Sequence, residues 1–456
     1  MRLVIVGGGG FRVPLVYRAL LADRSDRRVT ELVLHDSEPG RLAAVGRVLE
    51  ALAEGATEPP RVTVGTDLTE ALRGADFVFS AMRVGGLEGR VCDERAALEH
   101  GVLGQETTGA GGVTYGLRTV PVAVRLAETV RAVAPEAWTI NFTNPAGMVT
   151  QAMGSGEGGG LGDRVVGICD SPVGLMKRVA HALGIDPASA RFDYAGLNHL
   201  GWLRRVDVGG VDLLPQLLGD DDALGSFEEG RLFGAEWLRA LGAVPNEYLW
   251  YWYYTAEAVR AAAGAEASRG EYLAEQQARF YAEATAADSA GAFAAWERTR
   301  QQREASYMAE SREAAGAGER EAADLDGGGY DRMALALMHA IAHDEPATMV
   351  LNVRNRGTLA GLDDDAVVEV PCAVDAAGPR PLPGAPLDGH QLGLVQSVKA
   401  VETTTIAAAL AGSQRLALRA LATHPLVDSV THARAILDTQ LARVPALRAV
   451  LQPPGR

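Results

Sequence analysis

The run Leu3-Val4-Ile5-Val6, closed by four consecutive glycines from Gly7 to Gly10, constrains this chain more than any other feature. A short, uninterrupted, β-branched apolar run suits a strand covered on both faces, the habit of a parallel sheet. The glycines mark a tight turn, and a helical segment follows over 14–21. The alternation then repeats: strands are predicted at 31–36, 61–64, 75–80 and 139–142, with helices at 39–53 and 120–132. Strands alternating with helices in this way predict a doubly wound α/β domain, of which Val165-Val166-Gly167-Ile168 reads as the last strand.

Past the Gly/Ser-rich stretch 154–162 the pattern changes. Ala/Glu/Arg-rich segments at 230–241, 272–287 and 289–315 predict helices, and 331–343 predicts another. Strands are expected at 347–352 and 367–370, a Pro/Gly-rich loop at 378–389, and helices at 396–423 and 430–441. A chain of 456 residues exceeds what one hydrophobic core usually holds, so two domains are expected, 1–165 and 166–456. At 47% hydrophobic and 22% charged residues the chain is too apolar for a disordered one.

Lys and Arg number 43 against 58 Asp and Glu, a net charge of −15 that argues against a nucleic-acid or anionic-membrane partner. It leaves room for a small basic pocket. No apolar stretch approaches the length of a membrane span. Cys92, Cys169 and Cys372 are too few and too scattered for a disulfide framework, and they fit a reducing compartment. The first residues enter a core strand directly, without the pattern of a signal peptide, so a cytoplasmic location is expected.

Gly7, Gly8, Gly9 and Gly10 sit between a strand and a helix, where backbone N–H groups approach a pyrophosphate and the helix N-terminus supplies partial positive charge. Asp36 ends the next strand, 27 residues after Gly9, where an acid bonds a ribose hydroxyl and favours NAD over NADP. Phe11-Arg12-Val13 stands where the fingerprint has its later glycine. A tight turn without a ligand accounts for the same glycines. Arg83, in the loop 80–86, and Asn141 and Asn144, in Asn141-Phe142-Thr143-Asn144-Pro145, follow strands at the same sheet edge. They either face the nicotinamide end of a nucleotide or simply turn the chain.

Cys169 closes a predicted strand and His199 follows thirty residues later. A thiolate and an imidazole suit a soft or borderline divalent metal with open positions for water or substrate hydroxyls; a buried Cys and a core His are the plainer reading. The segment 245–254 gathers aromatics in a chain with only 6% of them. A tyrosine there would need a cationic neighbour to act as a base near neutral pH, and periodicity does not single one out.

Taken together, Val4-Ile5-Val6-Gly7-Gly8-Gly9, Gly101-Val102-Leu103-Gly104-Gln105-Glu106-Thr107-Thr108-Gly109, Asn141-Phe142-Thr143-Asn144-Pro145, Gly196-Leu197-Asn198-His199 and Val367-Val368-Glu369-Val370-Pro371-Cys372 resemble glycoside hydrolase family 4 over nearly the whole chain. These are NAD- and metal-dependent glycosidases that stand outside the usual two-carboxylate scheme, and the resemblance is greatest to the 6-phospho-β-glucosidases. It implies a Rossmann-like nucleotide-binding domain followed by a mixed α+β domain for substrate, metal and oligomerisation. It also implies hydrolysis of a phosphorylated disaccharide or aryl glycoside by transient oxidation at carbon 3, proton abstraction at carbon 2, elimination, water addition and re-reduction. Carried over by position, the metal (manganese by family habit) falls to Cys169 and His199, and the base to Tyr248. The nucleotide falls to Gly7–Gly10, Phe11, Asp36, Arg83 and Asn141, and sugar and phosphate to Arg90, Asn144, Asp170 and Arg269. Asp170 stands where β-specific members have Asn and an α-specific branch has Asp; it serves either as an acid on the leaving oxygen or as a holder of metal or sugar. A dimer or tetramer is implied. Without the Gly-Gln-Glu-Thr-Thr-Gly and Gly-Leu-Asn-His runs, the alternative is a malate- or lactate-type dehydrogenase; within the family it is a glycosidase for α-linked or non-phosphorylated sugars.

Overall fold

The computed structural model describes residues 1–155, 160–318 and 329–452. The first part alternates as expected: β1 (Arg2–Val6), α1 (Val13–Ala22), β2 (Glu31–His35), α2 (Pro39–Ala53), β3 (Arg61–Gly65), α3 (Leu68–Leu72), β4 (Phe77–Ser80), α4 (Gly86–Leu98), α5 (Ala110–Val133), β5 (Trp138–Asn141), α6 (Ala146–Ser155) and β6 (Val165–Gly167). These strands pair in parallel in the order β3-β2-β1-β4-β5-β6. The order reverses between β1 and β4, and a crevice opens beyond the strand ends at such a switch point. β1 and β4 are buried on both faces, which is why both read as unbroken apolar runs.

The sheet does not stop at β6. After α7 (Ser171–Ala182) come β7 (Arg191–Leu197), β8 (Leu200–Val208), β9 (Val211–Asp212), β10 (Val244–Pro245), β11 (Ala347–Arg354), β12 (Val367–Asp375) and β13 (Gly378–Pro381). β11 joins β6 antiparallel, and the order runs on through β12, β7, β8 and β10. Among the described residues, thirteen strands thus form one sheet, continuous across the expected 165/166 boundary. β13 lies inside the segment 378–389 expected as a loop, and pairs with β12. The Gly/Ser-rich stretch expected to punctuate the chain at 154–162 falls partly outside the described residues.

Three expected helices are each two. The segment 230–241 breaks at Gly234, whose φ of +77° a side chain resists, into Glu228–Phe233 and Ala235–Leu241. The segment 289–315 breaks at 306–308 into Ser289–Ala305 and Ala309–Ala315. Past it, 396–423 breaks at Gly412 into Gly389–Ala411 and Gln414–Ala422. The last two, with Val430–Arg443 and Pro445–Leu451, pack on α4 and α5 through a helical core that includes Leu117, Val401, Leu421, Ile436 and Leu447.

Two buried groups tie this layer to the crevice. Arg118 of α5 forms a bidentate pair with Asp93 of α4 at 2.8 and 2.6 Å, and its Nε–H donates to the carbonyl of Val84 at 2.9 Å, fixing the loop after β4. His424 stacks on Trp252 at 5.4 Å and its Nδ1 accepts the Leu426 N–H. Cys92, Cys169 and Cys372 are free and buried. Among the described residues no helix is long and apolar enough to cross a membrane.

Burial pushes the His424 pKa down to about 4. The unfolded chain protonates this imidazole near pH 6.5 while the folded one does not, so its contribution is full above that value and lost as pH falls toward 4, by up to about 3 kcal/mol. Denaturant unfolding of the metal-free protein between pH 7 and 4.5 should therefore give a flatter stability profile for His424→Gln than for wild type. Parallel profiles would show that His424 titrates normally.

Candidate active site

A cavity of about 1490 Å³ runs along the carboxyl ends of β1, β4, β5 and β6 and is closed from above by residues of the second half of the chain. Its nucleotide-facing end is the glycine loop. The N–H groups of Gly7 and Gly8 donate to the carbonyl of His35, and Gly7 has φ +93°. A Cβ there would lie 2.5 Å from the Ala81 carbonyl oxygen, so packing against the β4 loop alone demands glycine. Asp36 accepts the Gly9 N–H at 3.0 Å and the Glu38 N–H at 3.1 Å and lines the cavity. Its carboxylate therefore braces the loop at the point where an acid would meet a ribose. Gly10, Phe11 and Arg12 line the cavity just before α1. A glycine turn, an adjacent helix start and an acid at the end of β2 together fit a dinucleotide.

The Phe11 ring packs against Phe280 at 5.2 Å and Trp296 at 6.4 Å while the residue lines the cavity. One expectation for this end changes. Asn141 is fully buried, and its carboxamide donates to Thr143 O, Ala146 O and Thr150 Oγ1 while accepting the Thr143 N–H. It shapes the turn after β5 and does not line the cavity. That turn carries the cis peptide Asn144–Pro145 and places Asn144 at the cavity wall.

Cys169 and Asp170 follow β6 directly and line the cavity, Asp170 at the N-cap position of α7. His199 comes from a different device: β7 and β8 form a hairpin whose two-residue turn is Asn198-His199, with His199 at φ +62°. The His199 Nδ1 shares a hydrogen bond with the Thr107 hydroxyl at 2.9 Å, and burial lowers its pKa to about 4, so the ring is neutral. Burial, with the carboxylates of Glu369, Asp170 and Glu247, holds the Cys169 thiol well above its ordinary pKa. A neutral imidazole and a thiol set among carboxylates are a donor set that fits a borderline divalent cation. Among the described residues no group of three or more His, Cys, Asp or Glu is placed to hold a metal ion.

Tyr248 stands in a short 3₁₀ turn, Glu247–Leu249, whose start is capped by Asn246. Its ring lies flat on His199, with centroids 3.7 Å apart and planes 6° off parallel. Of the tyrosines in 245–254, the one the family resemblance picks is thus the one against the imidazole. Burial and Glu247 hold its phenol well above the ordinary pKa, and the hydrogen bond from Tyr307 works against them. A cation held at Cys169 and His199 would lower it further.

Arginines crowd the cavity beside the glycine loop, where the Arg303 guanidinium lies 5.6 Å from the Phe11 ring centre. Glu106 accepts from Arg83 Nη1 at 2.6 Å and pairs with Arg90 Nη1 at 2.9 Å. Burial opposes its ionisation, but the two guanidiniums outweigh it and bring its pKa to about 2. Arg90 also donates to Glu94. Arg269, at the start of helix Arg269–Ala286, donates to Ser306 Oγ at 2.8 Å. Arg303, near the end of helix Ser289–Ala305, is pushed well below its ordinary pKa by burial and then by Arg12, Arg90, Arg83 and Arg269. Its Nη1 is buried without a hydrogen-bond partner.

The structure therefore brings Cys169, His199, Tyr248, Asp170, Asn144, Arg83, Arg90 and Arg269 to one cavity. Sequence reasoning missed Arg12 and Arg303 as charges, Glu106 as the counter-ion of Arg83 and Arg90, Thr107 as the partner of His199, and Tyr307 and Glu247 beside Tyr248. Glu106 and Thr107 lie in the Gly-Gln-Glu-Thr-Thr-Gly run, a signal that was available. Arg303 lies in the polar run Arg300-Gln301-Gln302-Arg303-Glu304, which looks like any solvated helix.

Sequence profiles of the family 4 glycosyl hydrolases match residues 2–185, and those of the family's C-terminal domain match residues 194–427. A probable 6-phospho-β-glucosidase of Bacillus subtilis is 32% identical over 451 residues, spanning 97% of this chain and 96% of that one. Among solved structures, the 6-phospho-β-glucosidase of Thermotoga maritima with manganese, NAD⁺ and glucose-6-phosphate superposes with a TM-score of 0.80 at 26% identity, over 97% of this chain and 98% of the other. A 6-phospho-α-glucosidase from gut microorganisms, in complex with NAD and Mn²⁺, superposes equally well, at 0.80 and 25% identity, over 98% of each chain.

The Thr107 hydroxyl orients the imidazole that would hold the ion, and loss of such a support typically costs metal affinity about 10- to 100-fold. Thr107→Val should weaken Mn²⁺ binding by that factor in a direct titration. Unaltered affinity would mean that the Tyr248 stack alone orients His199.

Proposed function

The chain belongs to glycosyl hydrolase family 4 and is a glycosidase acting on O-glycosyl bonds, and we propose that it hydrolyses 6-phospho-β-glucosides with NAD and a divalent metal, manganese by preference. The arginine cluster is the observation that carries this reading. Arg303, half-buried, lies among Arg12, Arg83, Arg90 and Arg269 with its Nη1 enclosed and without a hydrogen-bond partner, at a cost that a bound dianion relieves. A phosphate on carbon 6 of a sugar is such a dianion. The glucose-6-phosphate held by the Thermotoga maritima relative and the name of the Bacillus subtilis relative support the same substrate class.

When bound, NAD⁺ supplies a hydride acceptor for carbon 3 of the sugar and the divalent ion a Lewis acid for the oxygens beside it. The chain's own groups do the rest. Gly7–Gly10 and Asp36 cradle the dinucleotide, Cys169 and His199 hold the ion, and Arg90, Arg269 and Arg303 anchor the phosphate. Tyr248 removes the proton from carbon 2, which oxidation of carbon 3 makes acidic. Asp170, at the N-cap of α7, faces the same cavity and protonates the leaving oxygen or holds the sugar. Residues 1–165 and 166–456 form two functional units that both contribute to the site: Arg83, Arg90 and Glu106 come from the first, Tyr248, Arg269 and Arg303 from the second. A dimer or tetramer acting on a phosphorylated sugar inside the cytoplasm completes the proposal.

Aspartate at position 170, together with the likeness to an α-glucosidase, favours a second reading in which α-linked substrates are accepted. Matched chromogenic α- and β-glucosides, with and without the 6-phosphate, separate the two. The β-linked phosphorylated compound should turn over with catalytic NAD⁺ and Mn²⁺, without net NADH, and a chelator should abolish the rate. Preference for the α-linked partner would select the second reading, and steady NADH accumulation with a hydroxy acid would reject both in favour of a dehydrogenase.

Arg303→Met should raise KM for the phosphorylated substrate about 10- to 100-fold, the worth of a hydrogen bond to a charged group. Thermal stability of the free protein should hold or rise, because a crowded cation is removed. An unchanged KM would place the phosphate elsewhere.

A further inference from the structure

We propose that Tyr307 is a positioning residue for Tyr248, a role that rests on the reading of Tyr248 as the base at carbon 2. Tyr307 lies where helices Ser289–Ala305 and Ala309–Ala315 separate. Met308 takes the left-handed φ of +49° there, so the chain turns away from the helical path. The turn is gripped from both sides: Arg269 Nη1 donates to Ser306 Oγ, and Arg312 Nη1 donates to the Tyr307 carbonyl. A strained turn held in this way delivers one phenol to one place.

That place is the oxygen of Tyr248. The Tyr307 hydroxyl donates to Tyr248 Oη at 3.2 Å and lies 3.5 Å from Glu247 Oε1, which itself accepts from Ser171 Oγ at 2.6 Å. The His199 stack fixes the plane of the Tyr248 ring, but a stack leaves open which lone pair of the oxygen is available. Donation from Tyr307 occupies one, so the other is left for the substrate. In the abstraction, the carbon 2–hydrogen bond breaks and its proton forms an O–H bond on Tyr248 Oη. Its electron pair passes toward the oxidised carbon 3, and Tyr307 keeps its own proton throughout. A hydrogen bond to the anionic base thus orients it and supports its charge without joining the transfer.

The test uses Tyr307→Phe in the NAD⁺- and Mn²⁺-loaded enzyme with an aryl 6-phospho-β-glucoside, protiated or deuterated at carbon 2. The expected result is a kcat about 10- to 100-fold lower with KM within about two-fold of wild type, and a larger deuterium effect on kcat than in wild type. Melting temperature and NAD⁺ affinity should stay at their wild-type values. Tyr307→His, which keeps an N–H donor, should recover part of the rate. Unchanged kcat in Tyr307→Phe overturns the proposal, as does a loss shared equally by both variants, or a lower kcat with no change in the isotope effect. If wild-type enzyme washes its carbon 2 label into water while Tyr307→Phe runs at full rate, only the positioning role falls. If wild-type product keeps all its label, the base assignment falls and the proposal with it.

Discussion

The carbonyls of Gly9 and Phe11, in the turn between β1 and α1, accept hydrogen bonds from Tyr281 at 2.7 Å and from the Trp296 indole at 2.9 Å. Backbone acceptors this deep need partners, and these partners come from the far half of the chain. The helices Arg269–Ala286 and Ser289–Ala305 that carry them also pack on α2 through Ala44, Val48, Phe280 and Trp296. Arg47 adds two bonds to the carbonyls of Ala284 and Thr285. The same two helices hold Arg269 and Arg303 side by side, the Arg269 guanidinium donating to the Arg303 carbonyl at 3.3 Å. The glycine turn and these arginines are therefore tied to one pair of helices, although some 260 residues of sequence separate Gly9 from Arg269.

The cavity wall carries both buried carboxylates and crowded guanidiniums. At the Tyr248 end, Cys169 is surrounded by Asp170, Glu247 and Glu369, and burial raises Glu247 and Glu369 to a pKa of about 7. Glu369 is nonetheless bonded by Asn198, Asn352 and Tyr194, which pins the turn bearing His199. Elsewhere on the wall guanidiniums crowd one another. Between them runs the segment 105–108, folded on itself by the Gln105 carboxamide, which accepts the N–H groups of Thr107 and Thr108. Glu106 turns to the arginines and Thr107 to the imidazole. The buried carboxylates and the crowded guanidiniums each carry an electrostatic cost in the free protein. A site can be held ready in this way because the surrounding fold supplies the stability that the site gives up.

The nucleotide-binding half was legible because strands covered on both faces, β1 and β4 among them, leave unbroken apolar runs, and all six strands were read close to their true limits, the exposed edge strand β3 included. The continuation of the sheet was less so: β7 and β8, half-polar and joined through Asn198-His199, carry no such run, and the hairpin was visible only as a motif. Helix breaks at Gly234, Gly412 and Met308, all at positive φ, were missed because the helix formers around them favour continuation and a lone glycine or methionine in such a run does not announce a cap. Within the site, residues with rare chemistry were found, Cys169, His199 and Tyr248 among them. Arg12, Arg303 and Glu106 were not, because a single charge on a polar helix or loop reads the same whether it faces solvent or a cavity. Asn141 misled for the converse reason: a carboxamide at a strand end looks available until its bonds are counted.

The arginines lie inside a molecule whose overall charge is −15. An approaching phosphate is repelled by the exterior and attracted only near the mouth of the cavity. At physiological ionic strength the outer field fades within about 8 Å, so added salt lowers the repulsion more than it weakens the shielded interior. Capture of a charged sugar by such a molecule should quicken as salt rises through the dilute range, the reverse of the steering expected where a basic groove is open to solvent.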